Sequence, residues 1–172
     1  MIETYFKEII KLEKIYHISD IHIRNYKRHD EYKRVFDTLA DKIKKTCDEK
    51  SIIVLTGDIV HSKTDITNEL IYQVQNLLKT LSSIRPVLMI PGNHDANLNN
   101  EHRMDSLTPI VEAMENNNVL YVKHSDIFVI GGVTFCHWSV FDNNYVSAKD
   151  IGGNFKVCMY HGAVQSAITE SG

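Results

Sequence analysis

The stretch Ser51–His61, SIIVLTGDIVH, limits the fold more than any other part of the chain. Ile52, Ile53, Val54 and Leu55 form an unbroken apolar run, three of them β-branched, which is the pattern of a buried central strand. Thr56 and Gly57 end the run, and Asp58 follows at once. A carboxylate just past the C-terminal end of a buried strand stands where open α/β sheets hold ligands.

The rest of the chain supplies neighbours for that strand. Ile15–Ser19 reads as the first core strand and delivers Asp20, Ile21 and His22. Tyr32, Val35, Phe36, Leu39 and Ile43 lie at helical spacing within His29–Lys45. After the polar loop Gly57–Lys63, Asp65 or Thr67 can cap a helix reaching about Leu81, with Ile71, Val74, Leu77, Leu78 and Leu81 as its apolar stripe. Val87–Ile90 is the next strand, followed by the turn-rich loop Pro91–Asn100. A third helix is expected from about Ser106 to Met114. Val119–Val122, Asp126–Ile130 and Val133–His137 then read as short strands, with Gly131-Gly132 as a hairpin turn. Asp142–Asn154 reads as an exposed loop and Phe155–Tyr160 as a last strand delivering His161. Met1–Lys14 has roughly helical spacing, or forms an edge segment beside the first strand. This order predicts an α/β architecture, an α+β sandwich of mixed sheets flanked by helices. Its expected parts are a parallel sheet with crossover helices and a second, largely antiparallel set of strands.

At 172 residues, 43% of them hydrophobic, the chain suits one domain spanning 1–172. A formal charge of −3 gives no overall basic character, although a basic strip on one face would be invisible in that sum. Cys47, Cys136 and Cys158 are odd in number and far apart, so they read as buried free thiols of a reducing compartment. No apolar run approaches membrane-spanning length and the N-terminus is charged, which predicts an intracellular, non-secreted protein without membrane contact.

Four clusters carry potential chemistry. Asp20-x-His22 would present an oxygen and a nitrogen on one side of an extended backbone, a pincer for a divalent transition metal. Alone, such a pair is more readily a turn or a helix cap. Gly57-Asp58 in isolation commonly marks a turn. Pro91-Gly92-Asn93-His94-Asp95 is more specific: Pro91 and Gly92 set a sharp bend, Asn93 offers a neutral oxygen, and His94 can give or take a proton. Its plain alternative is a strand-to-helix turn with Asp95 as a local cap. His161 alone would be a satisfied histidine at a strand end. Together the four stand at the C-terminal ends of separate predicted strands, on one edge of one sheet. Mixed Asp, Asn and His ligation with Asp58 shared suits a pair of Mn²⁺, Fe or Zn²⁺ ions roughly 3.5–4 Å apart.

These blocks, in this order, resemble the calcineurin-like metallophosphoesterase superfamily from about Ile15 to His161. Within it the chain is most similar to the SbcD-type exonucleases of DNA double-strand-break repair. That likeness lies in Ser19-Asp20-Ile21-His22, in Gly57-Asp58-Ile59-Val60-His61-Ser62, and in the strand leading into His161-Gly162. Serine/threonine phosphatases of the superfamily carry Asp-Arg-Gly shortly after their Gly-Asp; Val60, His61 and Ser62 stand in that region here, which points away from that branch.

The resemblance implies a two-metal nuclease with Mn²⁺ as the leading cofactor. Asp20 and His22 would hold the first ion, Asp58 would bridge, and Asn93 and His161 would hold the second. His94 would protonate the leaving oxygen or stabilise the charged phosphorane-like state, Asp95 would orient His94, and His61 is a candidate substrate contact, with a plain surface histidine as the alternative. The implied partners are DNA, an SbcC-type ATPase and a second copy of the chain. Arg24, Lys27, Arg28 and Lys33 after the first block, and Lys63 after His61, offer a basic strip for DNA; ordinary solvated charge is the alternative. One feature departs from the superfamily. Its metal site normally closes with a Gly-His-x-His block, and no histidine follows His161. The expectation is a C-terminally incomplete N-terminal piece of a longer protein, short of a ligand on each metal, with weak metal binding and poor activity. A small-molecule or nucleotide phosphoesterase and a non-catalytic degenerate member are the competing readings.

Overall fold

Alternation along the central strands sets the layers. The computed structural model describes residues 3–96, 98, 100, 103–143, 146–147 and 149–162. Its elements run β1 Glu3–Thr4, β2 Lys14–Ile18, α1 His29–Thr46, β3 Ser51–Thr56, α2 Asn68–Ser82, β4 Val87–Ile90, α3 Thr108–Glu112, β5 Val119–Tyr121, β6 Asp126–Ile130, β7 Val133–Trp138 and β8 Lys156–Tyr160. The polar stretch Ala163–Gly172 and parts of the expected Pro91–Asn100 and Asp142–Asn154 loops lie outside the described residues.

One sheet has the order β2-β3-β4-β5, and every pairing in it is parallel. Ile53, Leu55, Val87 and Met89 face the helices and bury against Phe36, Ile43, Val74, Leu77 and Leu81. Ile52, Val54, Leu88 and Ile90 face the other way and bury against Phe128, Ile130, Phe135 and Met159 of the second sheet. A strand covered on both faces favours apolar side chains on each of them, which is why Ile52–Leu55 runs without alternation. Each such side chain contributes roughly 1.5–3 kcal/mol through burial.

The helices follow from amphipathic spacing and their ends. α1 carries Asp30 and Glu31 in its first turn and Lys44 and Lys45 in its last, matching the helix dipole. Thr67 caps α2, its hydroxyl accepting the Leu70 N–H at 3.3 Å. α3 is shorter than expected because Asp105 takes over its approach. That carboxylate accepts the N–H groups of Leu107 and Thr108 at 2.9 and 2.8 Å, so regular helix begins only at Thr108.

The second sheet has the order β1-β6-β7-β8 and is more mixed than expected. Only β6 and β7 pair antiparallel, across the Gly131-Gly132 turn; β1 runs parallel to β6 and β8 parallel to β7. The long segment between β7 and β8 permits the crossover that a parallel pair requires. The N-terminal segment is an edge strand, but of this sheet and not beside β2. Cysteine burial also departs from expectation: Cys136 is buried, Cys47 half-buried and Cys158 exposed on the outer strand β8. Among the described residues no helix is long and apolar enough to cross a membrane.

His137 on β7 is fully buried. Its Nδ1–H donates to the His124 carbonyl at 3.2 Å, and its Nε2 has no hydrogen-bond partner among the described residues. Burial pushes its pKa down to about 4, so the folded chain binds fewer protons at this ring than the unfolded chain. That contribution to stability is complete above about pH 6.5, the unfolded value, and is lost as pH falls towards 4. Denaturant titrations at pH 7 and 5 should show a loss in wild type that is about 1–2 kcal/mol larger than in His137→Gln.

Candidate metal centre

The ends of β2 and β3 stay zipped beyond the regular strands. Asp20 N–H donates to the Gly57 carbonyl (3.2 Å), His22 N–H to that of Asp58 (2.9 Å), Ile23 N–H to that of Ile59 (2.9 Å), and His61 N–H to that of Ile23 (3.0 Å). Within this ladder Asp20, His22 and Asp58 have φ values of 57°, 50° and 53°. This left-handed backbone costs most residues about 1–2 kcal/mol, and Asp and His are among the types that tolerate it. The expected strand alternation therefore does not bring Asp20 and His22 to one side; left-handed residues turn the chain instead. The Tyr32 hydroxyl, from α1, donates to the His22 carbonyl at 2.8 Å and holds the turn.

Three strand ends converge because two glycines let them. A methyl group on Gly57, itself at φ 83°, would stand 2.7 Å from the Gly92 backbone and 2.8 Å from the His161 ring. One on Gly92 would strike the Asp58 carboxylate.

Asp58 is the meeting point. Its carboxylate is nearly buried; Oδ1 accepts the His94 backbone N–H at 2.8 Å. Oδ2 faces His161 Nε2 at 3.3 Å and His22 Nε2 at 3.5 Å, and the latter nitrogen is 3.8 Å from Asp20 Oδ1. His161 Nδ1–H donates to the Thr56 carbonyl at 2.6 Å, which aims Nε2 at the carboxylate. A lone pair pointed at an anion needs a proton or a cation between them. The hydrogen bond to Asp58 accordingly raises the His161 pKa to about 9, against burial. Burial pushes the Asp58 carboxyl up, but the hydrogen bonds from His161 and the His94 N–H outweigh it and hold the pKa below the usual value.

This donor set fits a divalent cation. Atoms bonded at about 2.1 Å to one ion stand roughly 3.0–3.4 Å apart, close to the spacings around Asp58 Oδ2. Asp20, Asp58 and His161 bring donor atoms within 4.8 Å of one another, and so do His22, His61 and His94. His22 Nδ1 is buried without a hydrogen-bond partner among the described residues. The grouping differs from the expected pairing, since His161 sits with Asp20 as well as Asp58. It arrives from β8 of the second sheet, so the cluster lies between two sheets and not on one sheet edge. Asn93 is half-buried on the turn between Gly92 and His94.

His94 is held differently from expectation. Its Nδ1 lies 3.1 Å from the His61 carbonyl, and its ring stacks on that of His61 with centroids 5.9 Å apart. Asp95 is fully buried and spends both oxygens on the backbone, accepting Val60 N–H at 3.0 Å and Gly92 N–H at 2.8 Å. Asp95 therefore braces the two loops, and the His61 carbonyl is the group that orients His94. Sequence could not reveal the roles of the His61 and Thr56 carbonyls, because every residue has one.

Arg24 is exposed and lines, with Asp20, His22 and Arg28, a groove of about 390 Å³. Burial, followed by the Arg24 charge, lowers the His61 pKa. Arg28 is tied to Glu31 at 2.6 Å, so it is not a free member of the basic strip.

Residues 13–166 match the family of calcineurin-like phosphoesterases. The chain belongs to that family. The chemistry of these phosphoesterases is metal-dependent hydrolysis of phosphoesters, and the donor groups around Asp58 fit it. The chain is also similar to an uncharacterized protein of Acanthamoeba polyphaga mimivirus, with 42% identity over 94% of this chain. It spans 13% of that relative's length.

If Asp95 is a brace, Asp95→Ala should lower the unfolding free energy by about 2–4 kcal/mol, because two buried N–H groups lose their acceptor. His94→Ala should change it by less than about 1 kcal/mol. Equal effects in denaturant titrations would contradict this division of labour.

Proposed function

We propose that this phosphoesterase is a two-metal phosphodiesterase acting on DNA. The observation carrying the reading is the Asp58 carboxylate, whose Oδ2 faces imidazoles from both sheets while Oδ1 is fixed by the His94 N–H. Asp20, His22, Asp58, Asn93 and His161 would hold the ions, with Mn²⁺ the leading candidate and Fe or Zn²⁺ the others. Bound there, two divalent ions would supply Lewis-acid polarisation of the phosphate and an activated water.

The protein's own groups would do the rest. The His61 carbonyl keeps the proton on His94 Nδ1, so Nε2 is the nitrogen free to act. In its protonated form that nitrogen would donate to the leaving oxygen. Exposed Arg24, Lys27 and Lys63 border the first two ligand loops and would meet the phosphate backbone. The exposed His61 ring stands beside His22 and His94, in position to touch substrate. By the likeness to SbcD-type nucleases, the partners would be an SbcC-type ATPase and a second copy, within the cell.

Two measurements test this. Hydrolysis of a model phosphodiester should vanish in chelator and return with Mn²⁺, and His94→Asn should lower kcat by roughly 10²–10⁴-fold; turnover persisting in chelator would end the metal reading. DNA affinity should fall with salt, and neutralising Arg24, Lys27 and Lys63 together should reduce the log–log slope by about 2–3. Chelator-sensitive turnover without salt-dependent DNA binding would shift the assignment to a small-molecule or nucleotide phosphoesterase. Absence of Mn²⁺ binding even in the complete protein would mark a degenerate member.

A further inference from the structure

Cys136 on β7 and Cys158 on β8 are register partners in a parallel pair. Neighbouring strands run about 4.8 Å apart, inside the roughly 4.4–6.8 Å Cα separation that a disulfide spans. Registered residues also leave the sheet on the same face, so the two Cβ atoms point the same way. Both cysteines carry free thiols. Burial, with the neighbouring Cys158 group adding to it, pushes the Cys136 thiol up to about 11. Cys136 is 1% exposed, whereas Cys158 is open to solvent on the outer strand of its sheet.

We propose that Cys136 and Cys158 form a redox-active dithiol whose disulfide clamps the outer strand β8 to β7. The oxidant is a low-molecular-weight disulfide. The Cys158 thiolate attacks one of its sulfurs, forms a mixed disulfide and releases one thiolate. Cys136 then gives its proton to water and attacks Cys158 Sγ, forming the Cys136–Cys158 bond and expelling the second thiolate. Two electrons pass from the cysteine pair to the oxidant, whose two halves leave as thiols. A reducing thiol pool runs the exchange backwards, so the clamp is compatible with a compartment that keeps other cysteines reduced. Its structural target is specific: β8 ends at Tyr160, and the next residue is His161, which reaches Asp58.

The test is oxidation of the folded chain with glutathione disulfide. Thiols titrated after unfolding should fall from three to one, with a loss of two hydrogens in the intact mass and a peptide cross-linked through residues 136 and 158. The oxidised form should melt about 5–10 °C higher, and the shift should reverse with dithiothreitol. Cys47→Ser should go from two thiols to none with the same shift, and Cys158→Ser should show neither change. A glutathione adduct that stops on Cys158, pairing with Cys47, a disulfide between copies, or a clamp without a melting shift would each overturn the proposal.

Discussion

A buried carboxylate that three backbone segments approach at once is the constraint on which the rest of the structure depends. An unpaired charge taken out of water costs several kcal/mol, so Asp58 is tolerable only with its partners in place. One oxygen is satisfied by the His94 N–H; the other requires a proton or a cation shared with His22 and His161. The requirement propagates outward. Gly57 and Gly92 must lack side chains, the β2 and β3 ends must stay paired past the sheet, and Asp95 must hold the His94 loop from below.

The second sheet enters through the same logic. Met159 is buried in the core between the sheets. Residues two apart on a strand share a face, so the alternation that buries Met159 turns His161 towards the gap where Asp58 lies. The hydrogen bond from His161 to the Thr56 carbonyl then ties the end of β8 to the end of β3. Positioning of this histidine thus draws on inter-sheet packing as well as on local turn geometry.

Much of the fold was legible because burial writes itself into residue type. The apolar run Ile52–Leu55, the stripe Val74–Leu77–Leu81 and the Thr67 cap each reflect a local preference that tertiary structure leaves intact. The Gly131-Gly132 hairpin belongs with them. Asp20, His22, Asp58, His94 and His161 could be singled out because few other side chains carry that chemistry. What was hidden depends on relations between distant segments. Nothing in Lys156–Tyr160 says which sheet it joins, and nothing in the first four residues says that they pair with β6. Asp95 reads as a partner for His94 by adjacency, yet its oxygens turn to Val60 and Gly92 because two buried N–H groups need acceptors there. Arg28 reads as a DNA contact until Glu31, one helical turn on, is seen to hold it.

The left-handed backbone at Asp20, His22 and Asp58 has a consequence for how such a centre changes over time. Asn and Gly occupy that conformation as readily as Asp does. Replacing either aspartate by asparagine therefore removes a negative charge while leaving the turn that presents it almost undisturbed. Charge and shape are separable at these two positions. A lineage can change the charge there by single substitutions and still keep a folded ladder, a packed core and the same surface around the groove.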